Sequence, residues 1–251
     1  MTRRIPRHRI PQSRLSAPAK HHSIEIKREI TSVIAHQIKS PLAGLKSALE
    51  VLVAEQLGPV PPAQAEYLHI ALEETERIIA LVRDLLDAAH ISESKLALSP
   101  MAVDFAALVQ KAVDAVTQFA HAKNTSITVT ADSNLPLLSI DGPKVQQAVT
   151  NIIDNAIRYN RGRGHVALSI RRIGRRVVLA CRDSGIGIGR AENKHLFTKF
   201  YRAPVAITLV PMGSGLGLYI AKSIIEQSKG KIWFRSVPGR GTTFYIALPV
   251  K

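Results

Sequence analysis

From Ile24 to Leu57, and again from Tyr67 to about Ile91, apolar residues recur every three or four positions on either side of the segment GPVPPAQ. The first run carries Ile30, Ile34, Ile38, Leu42, Leu45, Leu49 and Leu52, and the second Tyr67, Ile70, Ile78, Leu81, Leu85 and Ala88. This is the stripe of an amphipathic helix, and prolines between two such stripes turn the second helix back along the first. One hairpin has no way of hiding its greasy face from water alone. Two hairpins paired in a four-helix bundle bury both faces, so residues 24–91 predict an all-α helical-hairpin dimerisation domain and a homodimer.

Other parts of the chain obey different rules. Residues 1–23 hold six Lys/Arg, three prolines and no Asp/Glu, a composition that gains too little from burial to order itself, and they are expected to be a disordered basic tail. A membrane surface or nucleic acid suits such a tail, but a solvated leader or a boundary with an upstream domain is the favoured reading; the absence of interleaved aromatics makes nucleic acid the weaker partner. The whole chain has a formal charge of +15, which attracts polyanions without choosing among them. Its single cysteine, Cys181 in the run VVLAC, excludes an internal disulfide framework and reads as a buried strand residue. No stretch approaches the ~20 apolar residues of a membrane span, and a cytoplasmic location is expected.

Within the first helix, His36 stands two residues from both Ile34 and Ile38, about 200° around the axis at about 100° per residue, so its imidazole is expected to face water. Pro41, five residues later, removes a backbone donor and is expected to kink the helix beside it. An exposed helical histidine is ordinarily only surface. The surrounding AHQIKSPL and the motifs that follow make it a nucleophile candidate.

After a linker at 92–102, residues 103–251 alternate helical and strand patterns. Asp104 is positioned to cap a helix through about Ala122, ITVTAD at 127–132 reads as a strand, and Asp141 with Pro143 opens a helix to about Tyr159. HVALSIRRI and RRVVLACRD read as a hairpin about Gly174, LGLYIAKSIIEQS as a helix, and KIWFRS with TTFYIALPV as a closing hairpin. The expected fold is an α+β sandwich with a mixed, mostly antiparallel sheet covered by helices.

Three motifs in this region suit a nucleotide. Asn151 and Asn155 in NIIDNAIRYN are four apart on one helical face, which Arg158 and Tyr159 continue; neutral amides suit a Mg²⁺ ion whose other ligands are triphosphate oxygens and water. In DSGIGIG at 183–189 the glycines let backbone approach a flat ligand, while Asp183 can accept from an exocyclic amine such as that of adenine. GSGLGL at 213–218 leads into a helix, so its amides can face phosphate. Taken singly, each also has a bland reading, a surface amide pair or a glycine turn. Between the glycine segments, residues 190–212 carry Lys194, Lys199 and Arg202 around Phe197, Phe200 and Tyr201 and are expected to form a mobile lid.

In this order, over about 24–251, the motifs resemble those of the sensor histidine kinases of two-component signalling, whose ATP-binding domain shares the Bergerat fold of gyrase B, Hsp90 and MutL. The resemblance implies that AHQIKSPL is the phospho-acceptor box with His36 as nucleophile, and that NIIDNAIRYN, DSGIGIG, LFTKFYR and GSGLGL are the N, G1, F and G2 boxes. It further implies ATP and Mg²⁺ as cofactors, with Asn155 holding the metal and Asn151 assisting. Arg158 would meet phosphate, Tyr159 would line the pocket and Asp183 would recognise adenine. Gly185, Gly187, Arg202, Gly213, Gly215, Gly217 and Leu218 would complete the nucleotide contacts. The partner would be the receiver domain of a separate response regulator, and the stimulus would come from a separate sensor or an upstream sensing region.

One position departs from the family. Gln37 stands where an acidic residue usually follows the histidine, and an amide orients the ring without acting as a base. An unperturbed imidazole needs little activation near neutral pH, so kinase activity is still expected. Ser40, where the family commonly has Thr, reads equally as a water-orienting residue for dephosphorylating the partner and as plain helix surface. An ATP-binding adaptor or degenerate kinase is the alternative reading. An ATPase clamp of the gyrase and Hsp90 kind ranks lower, because those chains lack an acceptor hairpin.

Overall fold

The computed structural model describes residues 37–92, 98–211 and 213–250, so His36, the basic tail and the opening turns expected from Ile24 lie outside the described residues. Packing divides the chain into two compact units, one up to Ile79 and one from Ala80.

In the first unit, helix α1 (residues 37–53) continues through Pro41, ends in a turn at Glu55 with φ 54°, and is followed by α2 (Pro62–Ser92). Pro62 takes the first helical position, where its missing N–H costs nothing, while Pro61 supplies the carbonyl that accepts from Gln64 and Ala65. Lys46 of α1 reaches Glu76 of α2 at 2.6 Å, so the two helices lie side by side as a hairpin. Leu49 is buried, yet Ile38, Leu45, Tyr67, Ile70 and Ile78 are exposed. A single chain therefore leaves much of its apolar stripe in water, the condition that pairing with a second hairpin relieves. No described helix is long and apolar enough to cross a membrane.

The second unit takes in the last turns of α2, with Ala88 and Ile91 buried in its core. Then follow β1 (Met101–Val103), α3 (Phe105–Asp114), α4 (Thr117–Ala122), β2 (Thr125–Ala131), β3 (Leu138–Ile140), α5 (Gly142–Arg158), β4 (Gly164–Ile173) and β5 (Arg176–Asp183). A short 3₁₀ turn at Glu192–Lys194 precedes α6 (Pro204–Leu209), α7 (Gly217–Gln227), β6 (Lys231–Val237) and β7 (Gly241–Pro249). Five strands form one sheet in the order β2-β4-β5-β7-β6, parallel between β2 and β4 and antiparallel elsewhere. Alternation puts Val166, Leu168 and Ile170 of β4, Val177 and Leu179 of β5, and Phe244, Ile246 and Leu248 of β7 on one face. The helices α3, α5 and α7 cover that face, each fully buried Leu, Ile or Phe contributing about 1.5–3 kcal/mol relative to exposure. This is the expected sandwich with a mixed, mostly antiparallel sheet.

Three local expectations are corrected. The helix after Asp104 does not run unbroken to Ala122: Val116 leaves helical geometry at φ −114° and ψ 4°, and Thr117 Oγ1 donates to the Val113 carbonyl at 2.9 Å. The last two residues of the expected linker, Met101 and Ala102, join Val103 in β1, which pairs antiparallel with the unanticipated β3. The expected lid 190–212 contains helical turns of its own.

Candidate functional site

In the first unit, Gln37 and Ser40 are both exposed on the first described turn of α1, one turn apart. Their neighbour His36 lies outside the described residues.

In the second unit, the start of α5 is set by Asp141, whose Oδ1 accepts from Lys144 N–H at 3.0 Å while Oδ2 accepts from Ser99 N–H at 2.9 Å. With Val145, Val149, Ile152, Ile153 and Ala156 turned to the core, Asn151, Asn155 and Tyr159 are left along one partly buried edge. Asn151 Nδ2 donates to the Gly217 carbonyl at 3.1 Å, joining the amide pair to the second glycine segment. The Asn155 amide has no hydrogen-bond partner among the described residues. Arg158, by contrast, pairs with Asp154 at 2.5 Å and lies over the Phe119 ring at 4.8 Å. Its guanidinium is already engaged, and meeting phosphate requires exchanging those contacts.

Asp183 closes β5 on the inner face of the sheet and is 6% exposed. Its Oδ1 accepts from Gly185 N–H at 2.8 Å and Thr242 N–H at 3.0 Å, which orients the carboxylate and leaves Oδ2 for a ligand. Burial raises this carboxyl above the ordinary aspartate range, and the two backbone donors work in the opposite direction. The neighbouring Cys181 thiol is pushed far up, first by burial and then by the charge of Asp183, so it is structural, as its sequence context predicts.

Both glycine segments are held by backbone. Ile186 N–H donates to the Tyr159 carbonyl at 3.1 Å, and Gly239 N–H to the Ile186 carbonyl at 2.7 Å, fixing the first segment between α5 and the β6–β7 turn. Gly187 has φ 68°, and a Cβ there would stand 2.2 Å from the Val237 carbonyl oxygen. Gly215 has φ 66°, and a Cβ would come within 2.8 Å of the Phe200 carbonyl carbon, so the second segment rests directly on LFTKFYR. Leu218, one residue into α7, packs against the core rather than projecting outward.

Within 190–211, Phe197 packs edge to face with Phe244 at 6.5 Å and contacts Phe234 at 5.9 Å, which seats this aromatic on strands β6 and β7. Arg202 donates to the carbonyls of Ala206 at 3.2 Å, Val210, and Pro211 at 2.8 Å, closing the C-terminal end of α6, with Gly213 against its guanidinium. Arg202 thus holds the turn around α6, and a nucleotide contact requires it to give up those carbonyls.

The bonds Asn151–Gly217, Ile186–Tyr159 and Gly185–Asp183 bring α5 and the two glycine segments together, with Gly187 packed on Val237. Sequence reasoning missed Thr242, which shares Asp183, and Asp84 of α2, which accepts from Ser214 Oγ at 3.0 Å. Neither stands in a motif, and each lies far along the chain from its partner. Among the described residues no cluster of three or more His, Cys, Asp or Glu could hold a metal ion.

The comparisons with known proteins agree with this geometry. Residues 26–94 match the His Kinase A (phospho-acceptor) domain, and residues 140–251 the histidine kinase-, DNA gyrase B- and HSP90-like ATPase. The sensor protein kinase WalK of Staphylococcus saprophyticus is 33% identical over 227 residues, 89% of this chain and 36% of the relative. WalK of Staphylococcus aureus is 31% identical over 230 residues, 89% of this chain and 54% of that protein. Full-length ShkA, solved in complex with AMPPNP, superposes with a TM-score of 0.72 at 24% identity, covering 88% of this chain and 45% of ShkA. The chain belongs to the sensor histidine kinases, an acceptor hairpin followed by an ATP-binding domain. It spans about a third to a half of the length of the curated relatives it matches.

Proposed function

We propose that this chain transfers the γ-phosphoryl group of ATP to His36 and passes it to an aspartate of a response-regulator receiver domain, working as a homodimer. A ring nitrogen of His36 forms the new bond to the γ-phosphorus in line with the departing β,γ-bridging oxygen. ADP takes the electron pair of the broken bond, and the ring proton passes to solvent or phosphate. Positioning and charge stabilisation carry most of the acceleration in such transfers. Oδ2 of Asp183 accepts from the adenine amine, the amides of the second glycine segment face phosphate, and the lid closes over the nucleotide. Gln37 orients the imidazole.

The donor set fits Mg²⁺ held mainly by phosphate oxygens: Asn155 offers an amide oxygen beside Asn151, and the described residues supply no carboxylate-rich cage. Such an ion neutralises charge on the triphosphate. The observation that carries this reading is the holding of buried Asp183 by Gly185 and Thr242, both of which donate to the same carboxylate oxygen, Oδ1. Incubation with Mg·ATP is expected to leave acid-labile, alkali-stable phosphate on the wild-type chain and none on His36→Ala; label that survives in the variant contradicts the assignment.

A further inference from the structure

The second glycine segment is tied to α2 by a contact that the phosphoryl-transfer scheme does not use. Ser214 Oγ donates to Asp84 Oδ2 at 3.0 Å, and the same oxygen accepts from Leu216 N–H at 3.2 Å. The hydroxyl gives its one proton to the carboxylate, and a lone pair on the same oxygen accepts from the Leu216 amide at the start of α7, so one oxygen links the carboxylate to that amide. Asp84 is firmly placed. One turn further along α2, Asp87 accepts from Lys144 Nζ at 3.1 Å and Gln147 Nε2 at 2.5 Å, both on α5, while Ala88 and Ile91 enter the core. The Asp84 carboxyl is raised, chiefly by burial and further by the charges of Asp87 and Asp154, against the lowering effects of the Ser214 hydrogen bond and Arg83. A partly desolvated anion in like-charged surroundings therefore sits on the segment that leads into α7.

We propose that Asp84 is a positioning residue that holds the Ser214–Leu216 turn in a bond pattern the triphosphate must displace, so that α2 restrains nucleotide binding. This rests on the reading of residues 213–218 as the phosphate-facing loop. Both ligand and latch are anionic and both compete for the same short turn, so binding costs the Asp84–Ser214 bond and works against the carboxylate's charge. Because α2 is one continuous helix from Pro62 to Ser92, any movement that withdraws Asp84 raises the loop's affinity.

The test is calorimetric titration of the full chain with AMPPNP in Mg²⁺ buffer. Asp84→Asn keeps an acceptor of the same shape and removes the charge; it is expected to tighten binding about fivefold, the gain shrinking at roughly 0.5 M salt. Ser214→Ala frees the Leu216 amide and is also expected to tighten binding, and the double variant is expected to gain less than the product of the two. Equal or weaker binding by Asp84→Asn with an unreduced Tm overturns the proposal. Should Asp84→Asn fold poorly, Ser214→Ala decides on the same criterion. A wild-type chain that binds no analogue overturns the nucleotide-loop reading together with the latch, an outcome distinct from variants that bind like wild type.

Discussion

Asp183 concentrates what single residues contribute here. Asp183→Asn keeps the oxygen that Gly185 and Thr242 bind but can turn an amide N–H₂ toward the adenine amine, and a mismatched polar contact costs about 1–3 kcal/mol. AMPPNP affinity should fall roughly 5- to 150-fold with no loss of Tm; unaltered affinity would remove Asp183 from the site. Gly187→Ala meets the Val237 carbonyl at a left-handed φ and should lose about 1–3 kcal/mol in urea unfolding, whereas Gly174→Ala, with a similar φ and open space, should lose less. The raised carboxyls of Asp84 and Asp183 also carry a sign. The folded chain binds their protons more tightly than the unfolded one, so the contribution of these two groups to stability is greatest below the ordinary carboxylate range and is lost as pH rises through the folded values. Asp84→Asn should therefore flatten the fall of Tm from about pH 4 upward, and a profile parallel to wild type would contradict the assigned cause. Asp183 was legible in the sequence because a strand ends in DSG. Thr242 and Asp84 were not, since their roles arise only when strands β5 and β7, or α2 and the loop before α7, are neighbours.

At the scale of elements, long periodic segments and capped helix starts were readable, as α2, α5 and α7 show with bounds close to those expected. The three-residue strands β1 and β3 were not, because two or three side chains cannot establish a period. The break between α3 and α4 escaped for another reason: tertiary burial of Val116 and the Thr117 side chain override a continuous helical pattern. The local turns between the two glycine segments were hidden by the lack of an apolar repeat there. Hydrogen exchange of residues 190–212 should slow when AMPPNP is added; identical exchange with and without the analogue speaks against closure. On α1, Gln37→Glu restores a carboxylate next to the acceptor and should speed autophosphorylation. Absence of a gain would show that the amide is not limiting.

The whole molecule joins a helical hairpin that cannot bury its own stripe to a sandwich with a complete core. Exposed Leu45, Tyr67, Ile70 and Ile78 call for a second hairpin, so Ile70→Glu should shift sedimentation equilibrium toward monomer, and an unchanged dimer would place the contact elsewhere. The two domains were legible because their periodicities differ. The latch from α2 to the second glycine segment was not, since it depends on how one helix docks. The central claim, transfer to a histidine, is tested most directly by mapping phosphate after incubation with Mg·ATP. The account predicts an acid-labile, alkali-stable phosphoramidate at residue 36; nucleotide bound by the second unit with no phosphate ever appearing at that residue would contradict it.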